Sequence, residues 1–162
     1  MENLESYRTM LAGSVVFKGL TAAELEPVLS ASELVMRKPK ELILSEGSPT
    51  DGLYIILEGE VEVFLPERAA SGALRPSRIR LGRLGPGRCL GEYGVIDDQP
   101  SSASVEALGP VKLCFLSKAR FRQLVERHDR LGRIAYANLL RYLVSRLRGK
   151  NKELDIFLLD EK

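Results

Sequence analysis

The chain has 162 residues, enough for one domain with a sizeable core. Hydrophobic residues make up 44% and charged residues 28%, an ordinary globular balance that excludes a disordered or fibrous class. Twenty-four Lys and Arg against 22 Asp and Glu leave a net charge of +2, which argues for neither nucleic acid nor a membrane surface.

The N-terminus, "MENLESYRTM", has no apolar leader, and no run of about 18 apolar residues occurs anywhere. A cytoplasmic protein with no membrane partner is expected. Residues up to about 32 read as helical. "ESYRTMLAGSVVFKGL" carries apolar residues at loose helical spacing, and Thr21 with Glu24 forms a capping box. The helix from Ala22 to Ala31 is predicted to bury Leu25, Val28 and Leu29 on one face. Pro39 marks a turn, after which the pattern changes.

Over residues 33–116 the pattern is short strands with turn punctuation. "ELVMRK", "ELILSEG", "GLYIILEGEVEVFL", "SRIRLGRLG", "ASVEAL" and "VKLCFL" alternate or run apolar. Asp51-Gly52 and Glu58-Gly59-Glu60 supply glycines where strands reverse, and "PERAASGALRPS" reads as a polar loop with a mobile tip. Cys89 and Cys114 lie in apolar surroundings without metal-like spacing, as buried thiols of a reducing compartment do. After Leu116 the chain turns helical again: Ser117 caps a helix carrying Phe121, Leu124 and Val125, and a longer helix runs from about Arg130 past Asn151. The expected fold is mainly β with flanking helices (α+β), an antiparallel β-roll or jelly-roll-like barrel. It forms one domain over 1–162: N-terminal helices to about 32, the β-roll at 33–116 and two C-terminal helices at 117–162.

"GLYIILEGEVEVF" followed by "LGRLGPGRCLGEYGVIDDQPSSASVEAL", with glycines at 52, 59, 85, 87 and 91 beside Glu92, resembles the cyclic nucleotide-binding domain family. That family includes the regulatory subunits of cAMP-dependent kinase and the sensor half of the catabolite activator protein. The resemblance runs roughly from Val16 to Leu147. It implies a cassette at Gly91, Glu92, Tyr93 and Gly94 in which a short helix presents backbone N–H groups to a cyclic phosphate. Gly91 lets the backbone approach the ligand, and Glu92 accepts from the ribose 2′-OH. The resemblance also implies a closing string of Pro, Arg, a small residue and Ala.

Here that string is Pro100, Ser101, Ser102, Ala103, and no Lys or Arg occurs between Arg88 and Lys112. Serine cannot form the bidentate, charge-assisted pair that arginine makes with phosphate. Glu92 would then face the anion without a local countercharge. Weak or absent binding of cAMP, cGMP or another cyclic nucleotide is therefore expected, with a pocket retuned to another ligand or a cassette that survives as a structural turn in an interaction module as alternatives. Arg75, Arg78, Arg80, Arg83 and Arg88 could compensate only by reaching in from outside the cassette, and they are read as solvent-facing strand residues.

The closing helix places Tyr136, Leu140, Leu143 and Leu147 on a seven-residue repeat, continued by Leu154 and Phe157. Such a stripe packs on the β-roll or pairs with a second copy, and the resemblance favours a homodimer. The run Arg141, Arg146, Arg148, Lys150, Lys152 reads as a solvated face. His128 is the one histidine, so metal chemistry of the cupin kind and Ser-His-Asp catalysis find no residues, and Asp97 and Asp98 read as solvated turn carboxylates. No catalytic or metal-binding residue and no cofactor is predicted. The expected function is a stand-alone regulatory, ligand-sensing domain acting on an unknown downstream protein. The alternatives are an oligomerising interaction module with a vestigial pocket, or the sensor part of a transcriptional regulator. The chain ends at "LDIFLLDEK", too soon for a helix-turn-helix, so direct DNA binding is not expected.

Overall fold

The computed structural model describes residues 3–160; the expected domain limits at 1 and 162 lie outside them. A 3-10 turn at Leu4–Tyr7 leads into α1 (Arg8–Gly13). That helix stops one residue before Ser14, whose hydroxyl donates to the Leu11 carbonyl and accepts from the Phe17 amide. The expected long opening helix is thus cut short by a buried serine that serves the turn instead. Next, α2 (Ala22–Ala31) begins with the predicted capping box, Glu24 N–H to Thr21 Oγ1 at 3.3 Å and Thr21 N–H to Glu24 Oε2 at 2.8 Å. It buries Leu25 and Val28, while Leu29 stays half-buried.

Eight strands follow: β1 (Glu33–Arg37), β2 (Leu42–Leu44), β3 (Gly52–Glu58), β4 (Val61–Leu65), β5 (Ile79–Leu84), β6 (Cys89–Leu90), β7 (Ser104–Ala107) and β8 (Val111–Ser117). They form two four-stranded antiparallel sheets, ordered β1-β8-β3-β6 and β2-β7-β4-β5. This is the expected β-roll as two facing sheets. Gly59, at φ +84°, reverses the chain between β3 and β4. Gly52 plays a different part from the one expected: it opens β3, where a Cβ would stand 2.4 Å from the Leu116 carbonyl oxygen. The polar loop after β4 is pinned by Arg75, which donates to Glu46 at 2.8 and 3.0 Å and to the Pro66 carbonyl at 2.7 Å.

Strand β3 is buried on both faces and separates two apolar clusters. Leu53, Ile55 and Leu57 point to one cluster with Leu11, Phe17, Leu25 and Phe121 of the helical segments. Tyr54 and Ile56 point to the other, between the sheets, with Val61, Val63, Val105 and Leu113. Alternation along one strand thus joins the helices to the roll.

Two helices close the chain. Ser117 Oγ accepts from the Arg120 amide and starts α4 (Lys118–Arg127), and α5 (Asp129–Asp160) follows. The α5 residues that pack inward are Leu131, Ala135, Leu139 and Tyr142. Tyr136, Leu140, Val144 and Leu147 remain exposed. Among the described residues no helix is long and apolar enough to cross a membrane.

Candidate functional site

Three of the pieces of chain that line one cavity of about 740 Å³ carry the candidate site; Leu44, Thr50, Val63 and residues 81–84 complete its wall. Leaving β6, the backbone turns at Gly91 with φ +78°, a left-handed conformation that glycine adopts at little cost. A Cβ there would stand 2.3 Å from the Gly52 carbonyl oxygen, so the corner packs backbone against backbone on the start of β3. This turn delivers Glu92 as the first residue of α3 (Glu92–Asp97). At Gly94 a Cβ would stand 2.6 Å from Thr50 Cβ, which seats the short helix on the loop before β3.

The second piece runs from Pro100 into β7. Ser101 N–H donates to the Ser48 carbonyl at 2.9 Å, and its carbonyl accepts from Gly47 N–H at 2.8 Å. Its hydroxyl donates to the Ala103 carbonyl at 2.7 Å. The side chain that stands in the place of arginine is therefore turned onto its own backbone. Gly91, Glu92, Tyr93 and Gly94 line the cavity, as do Ser101, Ser102 and Ala103. All seven cassette residues singled out in the sequence come together.

The third piece is α5, which contributes Leu143, Arg146, Leu147 and Lys150 to the cavity wall. Of the four residues on the seven-residue stripe, Leu143 and Leu147 thus border the cavity, while Tyr136 and Leu140 lie outside it on the exposed face. Arg146 Nη1 donates to Glu92 Oε1 at 2.7 Å. Glu92 is only 2% exposed, and burial pushes its carboxyl above the usual range against the pull of Arg146. Burial also opposes the charge on Arg146, and Glu92 restores it. The guanidinium carbon lies 5.7 Å from the Tyr93 ring centroid and 5.6 Å from that of Tyr142.

The assignment of Arg146 to a solvated face is corrected here: its side chain is 32% exposed and reaches inward to an acid 54 positions earlier. A signal for it existed. Leu131, Ala135, Leu139 and Tyr142 set the packed face of α5, and Arg146 is the next position on that face. The strand arginines do not fill the cassette gap. Arg78 pairs with Glu62 at 2.6 Å and Glu106 at 2.7 Å, and Arg80 and Arg88 are exposed. Arg83 borders the cavity from an exposed position. Asp98 is exposed as expected, and at the surface it accepts from Arg122 at 2.7 and 2.9 Å and pairs with Lys118. His128 is exposed at the end of α4, and both cysteines are free and buried.

A glycine corner leading to a buried glutamate, roofed by a helix on a two-sheet roll, is the arrangement that decides the family. The family model described as "Cyclic nucleotide-binding domain" matches residues 35–128. The chain belongs to the cyclic nucleotide-binding domain family. The cyclic AMP receptor protein of Thermus thermophilus is 30% identical over 151 residues, covering 93% of this chain and 65% of that protein. A putative potassium channel protein of Rhodopseudomonas palustris is 28% identical over 149 residues, covering 91% of this chain and 33% of that one. The chain thus spans less than two thirds of the length of either curated relative. Among solved structures, a cyclic nucleotide-binding domain from Methylobacillus flagellatus superposes with a TM-score of 0.83 at 25% identity, covering 94% of this chain and 85% of the other. In this cyclic nucleotide-binding domain the matched segment includes the whole cassette and ends before Arg146.

Proposed function

We propose that this chain is a regulatory, ligand-sensing domain whose cavity takes a cyclic nucleotide, cAMP or cGMP, with low affinity. The observation that carries the reading is the Gly91–Glu92 corner, held against Gly52 and opening on a cavity of about 740 Å³. Low affinity follows from Ser101, whose hydroxyl is already bonded to Ala103. No protein cation is offered to the phosphate from the cassette itself.

In this reading the sensor works in the cytoplasm as a homodimer joined through the exposed apolar face of α5, and it passes the signal to a downstream protein. The thiols of Cys89 and Cys114, free and buried, suit a reducing compartment. The alternative, the sensor part of a longer transcriptional regulator, is supported by the Thermus thermophilus receptor protein, of which the chain spans 65%.

Calorimetric titration with cAMP and cGMP at one salt concentration tests the reading, using the wild type and Ser101→Arg. Weak binding by the wild type and a gain of about 2–4 kcal/mol in the variant, roughly 30- to 1,000-fold, are expected. Absence of binding by both proteins would leave an interaction module with a vestigial pocket.

A further inference from the structure

Two cavity-lining cations besides Arg146 are poorly placed to hold an anion. Arg83 is exposed at the rim. Lys150 Nζ is spent on the Leu81 carbonyl at 2.8 Å and on Glu153 at 2.7 Å. Arg146 differs from both. Its hydrogen bond among the described residues runs from Nη1 to Glu92, so four of its five N–H donors are uncommitted. Its head is steadied on one side by Glu92 and flanked by the rings of Tyr93 and Tyr142.

We propose that Arg146, carried by α5, is the anion-binding residue of this cavity and takes the ligand's phosphodiester in place of the arginine missing at Ser101. The inference rests on the cyclic-nucleotide reading and assigns its cation to a residue beyond the matched cassette. Guanidinium is the group suited to hold two anions at once, because one edge keeps the Glu92 carboxylate while Nη2 and Nε present a fork to a second oxyanion. Glu92 orients the arginine and also competes for it. One guanidinium shared between two anions binds each less strongly than a dedicated clamp, which matches a weak site.

A second, independent feature lies beside the pair. The Tyr142 hydroxyl is buried without a hydrogen-bond partner among the described residues, and the residue is 5% exposed. A buried donor without a partner is costly, and folded proteins retain few of them. The Tyr142 ring lies 5.6 Å from the Arg146 guanidinium carbon, so this unpartnered hydroxyl belongs to a ring beside the proposed anion-binding group.

The test is calorimetric titration of cAMP and cGMP into four proteins: wild type, Arg146→Gln, Ser101→Arg and the Ser101→Arg/Arg146→Gln double variant. Glutamine retains an N–H donor for Glu92 and removes the charge. Arg146→Gln is expected to lose roughly 30-fold or more of the wild-type affinity and the salt dependence that accompanies it. The double variant is expected to recover binding, because the cassette arginine then supplies the cation. Equal binding by wild type and Arg146→Gln overturns the role of Arg146 and leaves the cyclic-nucleotide reading intact. Binding by Ser101→Arg with none by the wild type overturns it in the same way. Absence of binding in all four proteins overturns the cyclic-nucleotide reading itself. Thermal melts show whether Arg146→Gln is folded. If it is not, Arg146→Lys replaces it: a point charge that cannot fork is expected to keep part of the affinity, and full wild-type affinity would overturn the assignment.

Discussion

Arg146 Nη1 donates to Glu92 Oε1 at 2.7 Å, across 54 positions of the chain, and so ties α5 to the first residue of α3. The acid is almost fully buried, and the base comes from a helix that also forms the exposed apolar face. One ion pair thus joins the glycine corner of the cavity to the closing helix.

The corner that presents Glu92 depends on glycine. Gly91→Ala is expected to destabilise the fold by about 2 kcal/mol or more, from a side chain forced into the left-handed region and onto the Gly52 carbonyl. For a chain of this size that is a fall of roughly 4–8 °C in Tm, readable by calorimetry or circular dichroism. An unchanged melting point would mean that the corner has room to relax.

The apolar face of α5 gives a test of assembly. Leu140 is 63% exposed and Val144 49% exposed, and neither borders the large cavity. Leu140→Glu with Val144→Glu is expected to convert a dimer into folded monomers, since two carboxylates cannot be desolvated in an apolar seam without several kcal/mol of cost. Light scattering at roughly tens of micromolar decides it, a range in which a Kd of about 1 μM leaves mostly dimer. A wild-type monomer at that concentration rejects the homodimer. Leu143 and Leu147 are poor choices for this test because they line the cavity.

Acid sensitivity should appear where α2 meets α5. Glu24 accepts from Arg130 and from the Thr21 amide, and these partners hold its pKa down at about 2. A depressed carboxylate contributes stability that is full above its ordinary value near 4.5 and is lost as pH falls through about 2. Glu24→Gln keeps the capping geometry and removes the charge. The variant is expected to melt below the wild type near neutral pH (about pH 7), with the gap closing between pH 4.5 and about 2. A gap independent of pH would assign the effect to packing.

Most of the fold was legible where a local rule decides the structure. Thr21 and Glu24 are three residues apart, and their capping box formed as read. The strand runs between Glu33 and Leu116 fell at the expected places because short apolar or alternating runs between turn residues are written in consecutive positions. The two-residue β6 was invisible, since pairing of Cys89 and Leu90 with Ile55 and Tyr54 is a tertiary event. The cassette residues were legible through their resemblance, and all seven line the cavity. Arg146 was missed because its partner is distant in sequence and its neighbours Arg141, Arg148 and Lys152 are exposed as a basic surface should be. The seven-residue stripe, read as a dimer seam, lies beside the face of α5 that packs on the roll, and that packed face was not read from the sequence. Tyr136 and Leu140 are exposed, whereas Ala135 and Leu139 are buried.

The backbone bonds that hold Ser101, to Ser48 on one side and Gly47 on the other, owe nothing to its side chain. On the opposite wall Gly91 packs on the Gly52 backbone in the same way, while Gly94 packs on the Thr50 side chain. The shape of the cradle is thus inherited separately from its charge. A substitution at position 101 is therefore expected to change the chemistry of the cavity while its outline stays in place.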